Sequence, residues 1–433
     1  MKKRSANSGA NSARPASARR WLISLPILLF IAALLITAWE LGAHSHPARI
    51  TTPVAPKVET VNHVIKAQPG PWGELEYTRI TIEVPDHFIT ITPPEPSRWF
   101  FKNFSKEQLT ELFRSAHLTE SQLDQALHKS EWKEDDNGHW IVPPEQLILE
   151  MSSEARQRIY SVLSLFPENP DQNGAFRFRP ELLDERLEQS GIDDGAMQLF
   201  KKLLYPQSPY LFFADTDVVL ARLKTEHEKM RFIKTISRRT SLLVMLKVNR
   251  DTDINALTKY WGHGGRAKDL RPILESLTRI PGGGAIDISH LLPPFVRQRI
   301  YTYPEPAVDA VAAKESCHWT SFNFFNLSPD IRFSDPEFAT KEIENNYDPI
   351  GSPSQLGDLI FLKNSQGMAV HSAIYIAENI VFTKNGAGFN QPWIYTRIED
   401  MLPIYLEPND SIKVVAYRKK AFSVASLDGS QEN

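Results

Sequence analysis

The strongest constraint on this 433-residue chain is a 19-residue uncharged stretch near its N-terminus. Residues 21–39 contain no Asp, Glu, Lys or Arg. At about 1.5 Å per helical residue they are long enough to cross the roughly 30 Å core of a bilayer. Six basic residues and no acidic one lie in residues 1–20, which the positive-inside bias keeps in the cytoplasm. The sequence therefore predicts a basic cytoplasmic tail over residues 1–20, a transmembrane anchor over 21–43 and an exported remainder.

A cleaved signal peptide is the alternative interpretation of this stretch. Ala43–Ser45 is a small-x-small tripeptide that fits a cleavage site, although the apolar region exceeds the usual length of about 7–15 residues. Both interpretations export the bulk of the chain. In a Gram-negative bacterium, the anchored form is a single-pass protein of the inner membrane with its globular part in the periplasm.

Composition shifts divide the exported part. Residues 44–75 are rich in proline and predict a semi-rigid spacer. The alternating pattern of residues 77–84 predicts the first strand. Capping signatures and helical periodicity predict a mainly helical region over residues 76–300. A separate domain, which contains the candidate chemistry described below, is predicted over residues 301–420. Residues 421–433 are predicted to form a polar tail.

Charge and cysteine content exclude some functions. The whole chain has 49 basic and 52 acidic residues, so the part after residue 20 is net acidic, which argues against a nucleic-acid partner. The single cysteine excludes an intramolecular disulfide and a multi-Cys zinc site.

A repeated pentapeptide indicates a duplication within the helical region. Arg156–Tyr160 recurs as Arg297–Tyr301, and each copy lies between a Pro-Pro pair and a Pro-Glu pair. We interpret the two copies as parts of two related helical units. In each copy, the two arginines are expected on a solvated helix face, with the Ile and Tyr packed inward.

Three segments near the C-terminus carry candidate chemistry. The first, Glu315–Asn326, has an aromatic face at helical spacing and places Cys317 in the first turn of a helix, where free N–H groups favour a thiolate. The second, Gln355–Leu362, is a Gly-Asp turn followed by an apolar strand. The third is a strand, Val370–Ile376, that opens on His371. Each segment alone has an ordinary structural explanation.

Together, these segments resemble the NlpC-type cysteine peptidases, the papain-like superfamily of bacterial cell-wall hydrolases that includes CHAP amidases. In that family, a Cys at a helix N-terminus precedes a Gly-Asp-Leu strand and a His-x-(Gly/Ala)-Ile-Tyr strand. Cys317, Gly357–Leu359 and His371–Tyr375 match in the same order. Over residues 301–420, the resemblance implies an α+β fold in which the Cys helix packs on a small antiparallel sheet.

The resemblance also implies a mechanism that needs no cofactor and no metal. Cys317 would attack a carbonyl as a thiolate, while His371 would accept the thiol proton and then protonate the leaving amine. Thr383 aligns with the third polar residue of the family, but Asn385 is the better hydrogen-bonding partner. We therefore expect Asn385 or Thr383 to orient the imidazole.

Three further residues belong to the implied substrate and oxyanion region. His318 and Trp319 stand where the family has small residues, and Lys384 lies in the segment after the His strand. His318 has an equally good interpretation as a helix-surface residue. Asp358 is assigned to structure, because a carboxylate in a turn caps local N–H groups.

The leading functional prediction is an exported, membrane-anchored thiol amidohydrolase or peptidase. Its partners would be peptidoglycan or other envelope peptides as substrate, and the membrane through one N-terminal helix. A non-catalytic envelope-binding module on the same fold is the first alternative, because the residues after Cys317 are unusual. Acyl transfer to or from lipid is the second, since lipid-acting relatives share the fold.

Overall fold

The protein is described here from a computed structural model, which covers residues 64–135, 137–305, 315–406 and 410–420. These residues combine helices with antiparallel sheets, so the predicted α+β class is confirmed. The predicted tail, anchor and polar tail, and the predicted spacer up to residue 63, lie outside the described residues. Among the residues described, no helix is both long enough and apolar enough to span a bilayer.

Helices and strands are interspersed along the chain. The strands are β1 (Ile65–Lys66), β2 (Glu74–Ile82), β3 (Trp99–Lys102), β4 (Glu131–Asp135), β5 (Gly138–Val142), β6 (Phe176–Phe178), β7 (Tyr205–Gln207), β8 (Tyr210–Phe213), β9 (Arg239–Val248), β10 (Gly284–Asp287), β11 (Tyr347–Ile350), β12 (Leu359–Lys363), β13 (Ala369–Ala377), β14 (Ile380–Lys384), β15 (Trp393–Arg397) and β16 (Lys413–Lys419). The α-helices are α1 (Lys106–Ser115), α2 (Glu120–Asp124), α3 (Glu145–Glu150), α4 (Ser153–Leu163), α5 (Pro170–Asn173), α6 (Leu183–Leu187), α7 (Asp194–Leu203), α8 (Thr216–Leu220), α9 (Glu226–Ser237), α10 (Ile254–Trp261), α11 (Ala267–Thr278), α12 (Pro294–Arg299), α13 (Cys317–Phe322), α14 (Pro336–Asn346) and α15 (Ile398–Tyr405).

The strands pair antiparallel into separate sheets. A six-stranded sheet has the order β11-β16-β12-β13-β14-β15, and a four-stranded sheet has the order β1-β2-β9-β10. Two three-stranded sheets, β3-β5-β4 and β6-β8-β7, lie within residues 99–213. Residues 76–300 thus contain more strand than their periodicity predicts. Most of these strands have only three to five residues, too few for a clear period, and the ten-residue β9 contains the continuous apolar run Leu242–Leu246, which periodicity does not distinguish from a helix.

Two hydrophobic cores divide the chain differently from the predicted boundary at residue 300. One core is built only from residues 99–236. The other combines β2, β9 and residues 257–300 with α13 and the six-stranded sheet. Phe295 of α12, for example, lies with its ring 5.4 Å from that of Trp319 in α13. The last residues of the predicted spacer also belong to this unit, since β1 precedes the strand predicted to be first.

The two copies of the repeated pentapeptide have different surroundings. The first lies inside α4, where Arg156 is fully buried, so the predicted solvated position is wrong for that side chain. The second ends α12, where the Arg299 guanidinium lies 4.3 Å from the Phe295 ring. The predicted solvated position is correct for Arg158, which is exposed.

Arg156 is buried because it has a buried partner. Its Nε lies 3.2 Å from Asp215 Oδ2, and Tyr160 donates a hydrogen bond of 2.5 Å to Asp215 Oδ1. Arg156 Nη2 donates to the main-chain carbonyl of Ile148. Burial raises the pKa of Asp215, and the charge of Arg156 opposes this rise. The carboxylate therefore depends on the guanidinium to remain ionised inside the core.

Replacing Arg156 with Ala should lower the free energy of unfolding by about 3–5 kcal/mol, because the substitution leaves Asp215 buried without its counter-charge. Urea denaturation of the full chain would measure this. The matched control is Arg158→Ala in the same helix, where the exposed side chain donates to the Ser115 carbonyl. The control should cost less than about 1 kcal/mol. Equal losses in the two variants would contradict the importance of the buried pair.

Candidate active site

Cys317 is the first residue of α13, as the sequence predicts. The hydroxyl of Ser316 caps the helix by accepting a hydrogen bond of 3.3 Å from the main-chain N–H of Trp319. The helix packs against β13 and β14 of the six-stranded sheet. This packing leaves the Cys317 residue only 6% exposed. The candidate nucleophile is therefore positioned by a capped helix but is largely covered.

The surroundings of the sulfur act in opposite directions on its protonation. Main-chain N–H groups of Ser372, His318 and Cys317 itself donate to the sulfur and lower its pKa, as does the charge of Lys384. Burial is the largest effect, and the net result is a raised pKa of Cys317. The expected shift towards a thiolate is therefore wrong in direction, because desolvation outweighs the helix N-terminus.

His371 lies in β13 and is fully buried. Its Nε2 is 3.0 Å from Thr383 Oγ1, and the same hydroxyl donates a 3.0 Å hydrogen bond to the carbonyl of Ser372. Because a hydroxyl has only one proton, Thr383 must accept from the Nε2–H of His371. The other nitrogen, Nδ1, then carries a lone pair, and it has no hydrogen-bond partner among the described residues. Burial lowers the pKa of His371 to about 3, so the ring is neutral at neutral pH.

The structure places Thr383, not the preferred Asn385, against the imidazole. Thr383 belongs to β14, which pairs with β13, whereas Asn385 lies just beyond the end of that strand. Asn385 Oδ1 instead accepts a 3.3 Å hydrogen bond from the hydroxyl of Tyr405. The Tyr405 ring stacks on His371, with 4.2 Å between centroids and 18° between planes. Asn385 is thus linked to the imidazole indirectly, by its hydrogen bond to Tyr405.

Lys384 is a buried cation close to the site. Its Nζ donates to the carbonyls of Gly386 and Gly388 at 2.8 and 2.9 Å. One of its three N–H donors therefore has no hydrogen bond within the described part of the chain. Burial lowers the pKa of Lys384 to about 8, while Glu315 and Cys317 oppose that shift. The structure thus brings Lys384 into the electrostatic neighbourhood of the candidate nucleophile.

The two residues after Cys317 have different positions. His318 Nδ1 lies 2.9 Å from the hydroxyl of Ser372, and its ring also bonds to the main-chain carbonyl of Ala369. His318 therefore connects the Cys helix to the His strand. Trp319 is 2% exposed and packs in the core against Phe295, so it belongs to the predicted aromatic face of the helix and not to the implied substrate and oxyanion region.

The Gly-Asp turn before β12 is structural, as predicted. Asp358 Oδ2 accepts the N–H groups of Ser354 and Gln355 at 2.7 and 2.9 Å. Its carboxylate also pairs with Arg418 at 2.7 Å. Gly357 has φ of +96°, and a Cβ there would lie 2.3 Å from the Phe325 ring. The turn therefore requires glycine and fixes the start of the central strand.

The sequence analysis did not identify two neighbours of the site, Tyr405 and Ser372. Tyr405 comes from α15, more than thirty residues after His371, and only the folded chain stacks it on the imidazole. Ser372 follows His371 and could have been noted as a polar residue inside an apolar strand. Its main-chain N–H and hydroxyl contact Cys317 and His318, respectively.

Replacing His371 with Phe should flatten the acid side of the stability profile. The buried imidazole stays neutral down to about pH 3, whereas the unfolded chain protonates near pH 6.5, so the wild type loses stability as pH falls through this range. At pH 4.5 this loss is about 3 kcal/mol relative to pH 7.5. Urea denaturation at both pH values would measure the difference for each protein. An equal loss in the variant would contradict a neutral buried His371.

Replacing Lys384 with Met should raise the pKa of Cys317 further, because the ammonium charge now lowers it. The only cysteine of the chain gives an unambiguous signal, so the rate of iodoacetamide alkylation against pH would measure the change by mass spectrometry. The difference should be greatest below about pH 8, where Lys384 is charged. Lys268→Met, at an exposed position, is the control. Identical profiles for all three proteins would contradict the coupling.

Comparisons with family models, curated proteins and solved structures gave no match to this chain. Residue geometry and sequence pattern are therefore the basis for assigning chemistry to the site.

Proposed function

We propose that this protein is a membrane-anchored, exported thiol amidohydrolase or peptidase with an NlpC-type, papain-like C-terminal region. The peptide part of peptidoglycan is the proposed substrate. The observation that carries the proposal is the state of His371: Thr383 holds Nε2–H, so the unshared pair lies on Nδ1. A general base needs such a lone pair, and the main chain beside it donates to the Cys317 sulfur.

Both partners are neutral at rest in this mechanism. The pKa of Cys317 is raised and that of His371 is lowered, so the thiol and the imidazole are both neutral before a substrate binds. Transfer of the thiol proton to Nδ1 accompanies attack of sulfur on the carbonyl carbon, and Thr383 continues to accept from Nε2–H. His371 then gives its proton to the leaving amine as the C–N bond breaks. Water, deprotonated by the same nitrogen, hydrolyses the thioester and restores the thiol.

The charge that develops in this reaction has donors nearby. The negative oxygen of the tetrahedral intermediate requires N–H groups in a dry environment, where one donor contributes about 3 kcal/mol. The start of α13 supplies main-chain N–H groups, and Lys384 supplies a charge and one remaining donor. The buried ammonium thus supports the predicted role of Lys384 in the oxyanion region.

A non-catalytic binding module is the second candidate function. The observation in its favour is the coverage of Cys317, which is 6% exposed and has a raised pKa. A substrate carbonyl must displace a covering group to reach such a sulfur. A module that only binds envelope peptides would have no need for an accessible thiol.

The test is turnover of purified peptidoglycan and its soluble peptide fragments by the full chain in mild detergent. New amino groups and products would be followed by mass spectrometry. Cys317→Ala should abolish turnover, and Thr383→Val should lower kcat about ten- to a hundredfold, because the imidazole loses its orienting acceptor. Thr340→Val, on the exposed face of α14, is the matched control and should retain wild-type activity.

The outcomes separate the two candidates. Turnover that survives Cys317→Ala would rule out the proposed nucleophile. Binding of peptide fragments without turnover, with a folded protein whose Cys317 does not alkylate, would favour the binding module.

A further inference from the structure

A second polar feature is a cavity of about 470 Å³ between the β6-β8-β7 sheet and the outer strand β15. This volume is within the usual range for small-molecule sites, about 300–1,000 Å³. Its charged lining is strongly one-sided and consists of Arg79, Arg177, Arg179, Arg186, Arg239 and Asp400. The cavity therefore presents five guanidinium groups against one carboxylate.

The single carboxylate is already engaged. Arg179 pairs with Asp400 and also with Glu181 at the edge of the cavity. Arg79 lies 4.0 Å from the same Asp400. The acidic groups near the cavity are thus used by these two arginines.

The other three arginines have no carboxylate partner within the described ranges. Arg186 has one hydrogen bond, of 2.9 Å to the Ile236 carbonyl, and its Nε is buried without a partner. Arg239 donates at 3.2 Å to the amide oxygen of Gln391. Arg177 lies over the Phe212 ring. Burial and the nearby charge of Arg239 lower the pKa of Arg186 to about 9. Two half-buried cations that repel each other are costly unless an anion compensates them.

We propose that this cavity binds a small organic anion whose carboxylate or phosphate group contacts Arg186 and Arg239. Guanidinium forks match the paired oxygens of both groups. The cavity also has an apolar wall that includes Phe176, Leu242 and Tyr395, which suits an uncharged body attached to the anionic group. Cys317 and His371 do not line the cavity, but Asn385 does, and it is hydrogen-bonded to the Tyr405 that stacks on His371. The cavity is therefore next to the candidate site, and the binding test below uses arginines outside the proposed hydrolytic pair.

Thermal unfolding of the full chain in mild detergent tests the proposal at constant ionic strength. The probes are phenyl phosphate, phenylacetate and, as the neutral compound, 2-phenylethanol. Either anion should raise Tm in a saturable way, because a ligand that binds only the folded state stabilises it. The stronger of the two anions identifies the preferred group. The neutral compound should give no shift.

Arg239→Gln should weaken binding of the effective anion about tenfold or more, since a charge-assisted hydrogen bond is lost. Arg177→Gln is the second variant; its side chain is exposed, so the fold should tolerate the change, and it should weaken binding if the anion reaches that wall. Arg250→Gln, at an exposed site outside the cavity, is the control. The proposal is overturned if neither anion gives a saturable shift, if 2-phenylethanol is equally effective, or if both cavity variants bind like the control.

Discussion

The hydroxyl of Thr383 connects the two strands on which the candidate site is built. It donates to the Ser372 carbonyl of β13 and accepts from the imidazole of His371, so one group determines both strand contact and tautomer. Because the imidazole is fully buried, the side chains around it determine its orientation. With Nε2–H held in this way, Nδ1 carries the lone pair that proton transfer requires. The proposed chemistry therefore depends on a small hydroxyl that also belongs to the sheet.

The same burial determines the balance of charges around the site. Desolvation raises the pKa of Cys317 and lowers those of His371 and Lys384, each towards its neutral form. Paired charges elsewhere in the protein behave differently, since Arg156 and Asp215 compensate each other in the core. Arg186 and Arg239 are half-buried and have no carboxylate partner among the described residues, which distinguishes them from the Arg156–Asp215 pair.

The sequence predicted the parts of the site that depend on local chemistry. The Cys317 at a helix start, the Gly-Asp turn and the apolar strand that carries His371 each have a local physical cause, and the structure contains all three, although that strand begins at Ala369. The choice between Thr383 and Asn385 depended on where β14 ends, which a propensity pattern does not resolve. The burial of Arg156 depended on Asp215, nearly sixty residues away.

Packing between residues far apart in sequence also explains where the observed fold differs from the predicted one. The boundary predicted at residue 300 follows a change in sequence character, but the core of the six-stranded sheet includes α12 and β9. Short aromatic strands such as β3 are too brief for a period of two to appear. Cores are built from residues distant in sequence. A sequence pattern therefore predicts where a helix or strand lies more reliably than it predicts which elements pack against it.

The coverage of Cys317 also bears on its durability. Oxidation to a sulfenic acid requires a thiolate that an oxidant can reach, and this sulfur is both protonated by preference and 6% exposed. No second cysteine exists in the chain to trap an oxidised sulfur as an internal disulfide. Resistance to peroxide is therefore built into the resting structure, and any damage would accumulate at the rate at which the covering residues open.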